Sequence, residues 1–169
     1  MPSTRFPTTI GECTISWDAN GLTGLALPDP SAHSGATAEH PPAAADCPPA
    51  ITALIARIQR HLAGELQDFS DLPYDWARVT PFQQRVLRAL LAIGPGRTAT
   101  YGDLARAINA APGAARAIGG AVGSNPWPLL IPCHRILGST GKLTGYSAPG
   151  GVRTKAKLLA LEGVQLAVV

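Results

Sequence analysis

The sequence predicts an α/β N-terminal domain over residues 1–77, followed by a mainly α C-terminal domain over residues 78–169 that contains a helix-turn-helix. Three observations carry this. IGECTISWDANGLTGLAL, at residues 10–27, alternates loosely and is followed by one helical stripe, whereas the chain after Thr80 reads as helices with caps and stops. The charge divides at the same place: residues 1–77 hold three basic and nine acidic side chains, net −6, and residues 78–169 hold eleven basic and two acidic, net +9. Between them, the acidic run from Glu65 to Arg78 contains Pro73 and reads as a linker.

Residues 10–27 read as a β-hairpin with Asn20-Gly21 at the turn. The stretch near 28–50 is rich in Pro, Ala and Ser without periodicity, which predicts a loop. From Ala50 to Gly64, Ile51, Leu54, Ile55, Ile58 and Leu62 make one helical stripe. Thr80-Pro81 supplies an N-cap and a first-turn proline for TPFQQRVLRALLAI, whose apolar face is Phe82, Val86, Leu90 and Ile93 and whose stop is Gly94-Pro95-Gly96. Thr100 caps YGDLARAI, NAAPG makes a turn, and AARAIGGAVG forms a third helix that ends before Asn125-Pro126. Two short helices joined by a glycine-containing turn have the pattern of a helix-turn-helix. The second of them carries Arg116 among Ala, Gly, Ile and Val, so it has no side chain suited to reading several base edges. Such small residues fit a tightly packed buried helix or close approach to a nucleic-acid groove; in the second case Arg116 serves as a wedge or stacking cation.

Hydrophobic residues make up 46% and charged residues 15% of the 169, which excludes wholesale disorder. No run of roughly 18 apolar residues is present, so no membrane span is expected. MPSTRFPTTIGEC lacks the apolar stretch of a secretory signal, and three cysteines cannot pair completely, so a reducing cytoplasm is the expected compartment. The basic excess of the second half points to nucleic acid as its partner, against the alternative of a basic surface kept for solubility.

The chemistry centres on Pro132-Cys133-His134-Arg135, at the end of the apolar run from Trp127 to Ile131. Proline fixes its own backbone angle and so suggests a rigid placement for the cysteine. His134 and Arg135 beside Cys133 favour thiolate over thiol, the form a nucleophile needs; the alternative is a buried, inert cysteine. Cys13, Cys47, His33 and His40 are scattered without paired ligand spacing, so no metal site is expected and they read as structural or exposed. His61 reads as a surface residue of its helix.

PCHRI, preceded by AARAIGG and SNPWP and followed by GKLTGY and LLALEG, resembles the O6-alkylguanine-DNA alkyltransferase family, with the motifs in family order from Thr80 to Gly163. The N-terminal half resembles the family weakly, through a hairpin, a divergent segment and a helix ending in HLAGEL. The resemblance implies an N-terminal domain of ribonuclease-H-like shape, without ribonuclease function, packed on the helical C-terminal domain. It implies that Cys133 accepts the alkyl group, that His134 deprotonates it through a water, that Glu162 orients His134, and that Asn125 ties the helix-turn-helix to the cysteine loop. Tyr101 then sits at the target's phosphate and base, Arg116 fills the gap left by the flipped nucleotide, and Tyr146 and Ser147 lie on the loop that closes the base pocket. Arg135 is grouped with the substrate- and DNA-binding residues. The implied partner is double-stranded DNA containing alkylated guanine, with O4-alkylthymine as a second lesion; a monomer and no cofactor are expected.

Three departures from the family pattern stand out. Leu87 replaces a tryptophan of many members. Val122 is small where some relatives are larger, which predicts room for bulkier alkyl groups. Ser147-Ala148-Pro149-Gly150-Gly151 is longer than the usual pocket loop. Two rivals remain at this point: a damage binder that does no chemistry, disfavoured by the presence of Cys133, and a Cys133-His134-Glu162 thiol hydrolase, disfavoured by the basic second half.

Overall fold

Alternation in residues 3–26 produces three strands, one more than the expected hairpin. In the computed structural model, which describes residues 2–28, 47–143 and 148–164, β1 (Ser3–Thr8), β2 (Gly11–Asp18) and β3 (Gly21–Ala26) form an antiparallel sheet in the order β1-β2-β3. β1 turns Thr4 and Phe6 inward. Pro7 lies within it and is tolerated because β1 is an edge strand; that proline hid the strand from the sequence.

The β2–β3 turn also sits one residue earlier than expected. Asp18 pairs with Gly21, so Ala19 and Asn20 are the turn, and Asp18 Oδ1 accepts the Asn20 N–H at 2.8 Å. Gly21 has φ +134°, and a Cβ there would come within 2.2 Å of the Pro73 carbonyl oxygen. Glycine therefore lets the 73–75 segment dock on β3: the Leu22 N–H donates to Pro73 O at 2.8 Å and the Asp75 N–H donates to Leu22 O at 3.0 Å. The run read as a linker is thus packed against the sheet. Phe69 and Tyr74 are buried, and the Tyr74 and Trp76 rings stand 5.2 and 5.6 Å from the ring of Trp127, a residue of the second half. Aromatic area is the physical reason an acidic, proline-containing segment is held in place.

Helix α1 (Pro49–Leu62) begins with a first-turn proline and buries Ile51, Leu54, Ile58 and Leu62, with Ile55 half-buried at its edge. α2 (Pro81–Leu91) is capped by Thr80, whose Oγ1 accepts the Gln83 N–H at 3.1 Å, and buries Val86, Leu87 and Leu90. Two-residue β4 (Ala99–Thr100) leads straight into α3 (Tyr101–Ala107), where Thr100 and Asp103 make a capping box. α4 (Ala115–Gly123) packs on α2 and α3 and stops where expected, before Asn125. β5 (Ile136–Leu137) pairs in parallel with β4, and α5 (Gly151–Leu161) packs against the turn that precedes β5. A continuous core joins sheet, helices and the cysteine segment, including Ile15, Leu22, Ile58, Leu90, Trp127 and Ile131. Among the described residues no helix is long and apolar enough to cross a membrane.

Candidate active site

Cys133 begins a one-turn 3-10 segment, Cys133–Arg135, immediately before β5. Pro132 precedes it at φ −81° and ψ 64°, and the Cys133 N–H donates to Ile131 O at 2.8 Å. This is an inverse γ-turn, for which proline supplies the φ and leaves no N–H unpaired. The Ile131 carbonyl also accepts from Asn125 Nδ2 at 2.9 Å, while Asn125 Oδ1 accepts the Trp127 N–H at 2.9 Å. One amide side chain thus spans the bend between the end of α4 and the cysteine turn. Inside the bend Leu129 has φ +76°, a conformation uncommon outside glycine.

Glu162, the C-cap of α5, is the hub behind the cysteine. Its Oε1 accepts from His134 Nε2 at 2.7 Å, Arg135 Nη2 at 2.8 Å and His61 Nε2 at 3.2 Å. Its Oε2 accepts from Arg135 Nε at 2.9 Å and from the Gly96 N–H at 3.4 Å. Burial on its own would raise the carboxyl pKa, but the hydrogen bonds from His134, His61 and Arg135 outweigh it and hold Glu162 well below the usual range. An ionised carboxylate only accepts, so His134 carries its proton on Nε2 and presents Nδ1 as a lone pair. Nδ1 is buried and has no hydrogen-bond partner among the described residues. Burial is the largest influence on His134 and pushes its pKa down, against the Glu162 contact that raises it; the ring is kept neutral. His61 is fixed in the same tautomer, because its Nδ1 accepts the Gln67 N–H at 3.0 Å.

Lys155 on α5 is 1% exposed. Burial lowers its pKa, and the charge of Cys133 acts in the opposite direction; by reciprocity the ammonium favours the Cys133 thiolate. Cys133 lines a cavity of about 220 Å³ together with Asn125, Pro126, Pro128, Ala148 and Leu25 of β3. The arrangement holds a thiol, a neutral base aligned by a carboxylate, and space for a small group beside the sulfur.

Residues 81–164 match the model of the 6-O-methylguanine DNA methyltransferase, DNA binding domain. The methylated-DNA–protein-cysteine methyltransferase of Mycobacterium tuberculosis is 42% identical over 153 residues, 90% of this chain and 87% of that protein. This chain belongs to that methyltransferase family. The Haemophilus influenzae relative of the same name is 37% identical over 167 residues, 95% of this chain and 86% of its own. The crystal structure of Mycobacterium tuberculosis OGT in complex with DNA superposes with a TM-score of 0.75 at 39% identity, covering 95% of this chain and 92% of that one. The methyltransferase fold is a small sheet with helices.

In this methyltransferase His134 is hydrogen-bonded to Glu162, and Asn125 and Cys133 line one cavity. Tyr101 stands at the first turn of α3, and Arg116 is exposed on α4. The β4–β5 ladder connects the two regions, since Tyr101 follows β4 directly and the Cys133–Arg135 turn runs directly into β5. Tyr146 and Ser147 lie outside the described residues. Three expectations need correction. Arg135, grouped with the DNA-facing residues, is 4% exposed, with Nε and Nη2 on Glu162 and Nη1 donating to Ile93 O at 2.6 Å, so its guanidinium is committed inside the fold. His61, read as a surface residue, is 1% exposed on the same α1 face as Ile58 and Leu62. Val122 is buried but is not among the residues lining the cavity at Cys133. Lys155, His61 and Gly96 joined the site without a sequence signal beyond their types: a lysine three residues before the LLALEG run looks like an ordinary helix charge, and GPG looks only like a stop.

Proposed function

We propose that this chain is a DNA repair methyltransferase that transfers the alkyl group of O6-alkylguanine in duplex DNA, and of O4-alkylthymine, to its own Cys133, once per molecule. The observation that carries this is the His134 imidazole, held neutral with Nε2–H on Glu162 and a buried Nδ1 without a partner among the described residues, on the residue that follows Cys133 of the cavity. Through a water, His134 Nδ1 takes the thiol proton. The sulfur forms a bond to the alkyl carbon while the bond from that carbon to the guanine oxygen breaks, and its electron pair leaves with the base. The Tyr101 hydroxyl meets the charge that develops there, and the guanine takes up a proton from water while His134 releases the thiol proton to water. The product is a thioether with no leaving group for water to displace, so the protein is consumed.

The target carbon lies inside the duplex, so the nucleotide is rotated out at a cost of a few kcal/mol. Helices α3 and α4, joined through Asn109 at φ 51° and Gly113 at φ 85°, act as the helix-turn-helix, with Arg116 occupying the vacated stack. Residues 78–169 form the DNA-binding and alkyl-acceptor domain; residues 1–77 form a ribonuclease-H-like domain, a reading supported by the sheet with α1 packed on β1. The protein works as a monomer in the cytoplasm, where Cys133 stays reduced. The test is incubation with an O6-methylguanine duplex followed by intact mass and peptide mapping. One methyl on Cys133 is expected; release of several equivalents of repaired guanine per protein contradicts the single-use mechanism.

A further inference from the structure

We infer that Leu25, a residue of the N-terminal sheet, sets the size of the alkyl group that Cys133 accepts; this rests on the alkyl-transfer reading above. Leu25 lines the same cavity as Cys133, and it alone among the described lining residues comes from outside residues 81–164. The rest of the described lining has little freedom to adapt. Pro126 and Pro128 are rigid rings, Asn125 is held by two hydrogen bonds, and Gly123 and Ser124 are small. Leu25 is the large aliphatic residue among the described lining residues, and Val122, small here where some relatives are larger, is not among them.

Leu25 is also fixed relative to the sulfur. Its N–H donates to Pro126 O at 3.0 Å, and Trp127 Nε1–H donates to Leu22 O at 2.9 Å. A Cβ on Gly24 would lie 3.3 Å from the Pro126 oxygen, a tight contact, so β3 runs close against Pro126. Leu25 therefore sits on a strand that cannot back away from the cavity without breaking those bonds. A methyl group occupies little of the cavity, whereas a butyl chain has to fit among the lining residues that Cys133 shares with Leu25. Close-packed walls resist even one extra methylene.

Single-turnover rates are to be measured for O6-methylguanine and O6-(n-butyl)guanine duplexes with wild type, Leu25→Ala, Leu25→Val and Leu25→Phe. The butyl-to-methyl rate ratio within each protein is the readout, because a general loss of stability lowers both rates together. The ratio is expected to rise about tenfold in Leu25→Ala, less in Leu25→Val, and to fall by a similar factor in Leu25→Phe. Should one variant fail to fold, the others still bracket the side-chain size. An unchanged ratio across the folded variants, with methyl transfer to Cys133 intact, overturns the role of Leu25 alone. Absence of methyl on wild-type Cys133 overturns the alkyl-transfer reading, and the size filter with it.

Discussion

Glu162 shows how a buried charge is made tolerable. Its side chain is fully buried, and such a carboxylate is stable only when paired and hydrogen-bonded; Arg135 supplies a two-point pairing and both histidines and Gly96 complete it. Glu162→Gln leaves Arg135 buried without its countercharge, so it is expected to cost about 3 kcal/mol or more in urea unfolding and to slow alkyl transfer. The same groups set the pH dependence. His134 has a lowered pKa in the fold, so below about pH 6.5 the unfolded chain takes up a proton that the folded one refuses, and stability falls. Glu162 is also lowered, so its contribution is fully present above about pH 4.3 and is lost as the pH drops below that. The urea midpoint is therefore expected to decline from pH 7.5 to 5.5 and more steeply below 4.5; a flat profile contradicts this. Lys155 acts on the sulfur itself. Lys155→Met keeps the aliphatic bulk but removes the cation that favours the thiolate, so transfer at pH 7 is expected to slow and to recover at higher pH. A loss independent of pH would assign Lys155 to packing instead.

Cys133 is presented by connections between elements more than by any regular element of its own. The γ-turn at Pro132, the Asn125 amide and the β4–β5 ladder together place the turn against α5 and beside the start of α3. Asn125→Ala leaves the buried Trp127 N–H without its side-chain acceptor, at an expected cost of about 1–3 kcal/mol. Because the defect lies under the sulfur, free O6-benzylguanine and duplex substrate are expected to react more slowly in the same proportion. Slowing confined to the duplex would place Asn125 with the DNA-binding residues. Thr100 joins the same framework: its hydroxyl accepts the Asp103 N–H at 3.0 Å and Asp103 Oδ2 accepts the Thr100 N–H at 2.9 Å, directly before Tyr101.

Charge is laid out over the whole molecule so that chemistry and DNA capture share one half. With a net +9 over residues 78–169, binding to undamaged duplex is expected to weaken steeply as salt rises, with little difference between sequences, because α4 offers no set of base-reading side chains. A fluorescence-anisotropy salt series on two unrelated duplexes tests both parts. Arg116 is exposed on α4 and makes its proposed contribution only when a nucleotide leaves the stack. Arg116→Ala is therefore expected to slow the duplex reaction far more than the reaction with free O6-benzylguanine, at unchanged thermal stability; equal slowing of both removes the flipping role. The acidic first half is not a separate attachment, since Trp127, Leu25 and His61 join it to the cysteine region.

Local chemistry was legible in the residues alone. Caps and stops mark helices within a turn of their ends, as at Thr80, Thr100 and Gly123, because those signals act over three or four residues. The PCHRI run marked the proposed nucleophile and its proposed base, which are sequence neighbours. The edge strand holding Pro7, the one-residue shift of the β2–β3 turn and the packing of residues 65–78 were not legible, since each depends on which distant strand or ring lies alongside. The site divides in the same way. His61 and Glu162 are 101 positions apart, and Leu25 reaches the Cys133 cavity from the N-terminal sheet. Burial, partner and wall are properties of the folded arrangement: a histidine on a helix stripe becomes a carboxylate donor, and a strand leucine becomes a pocket wall, only when the core closes around them.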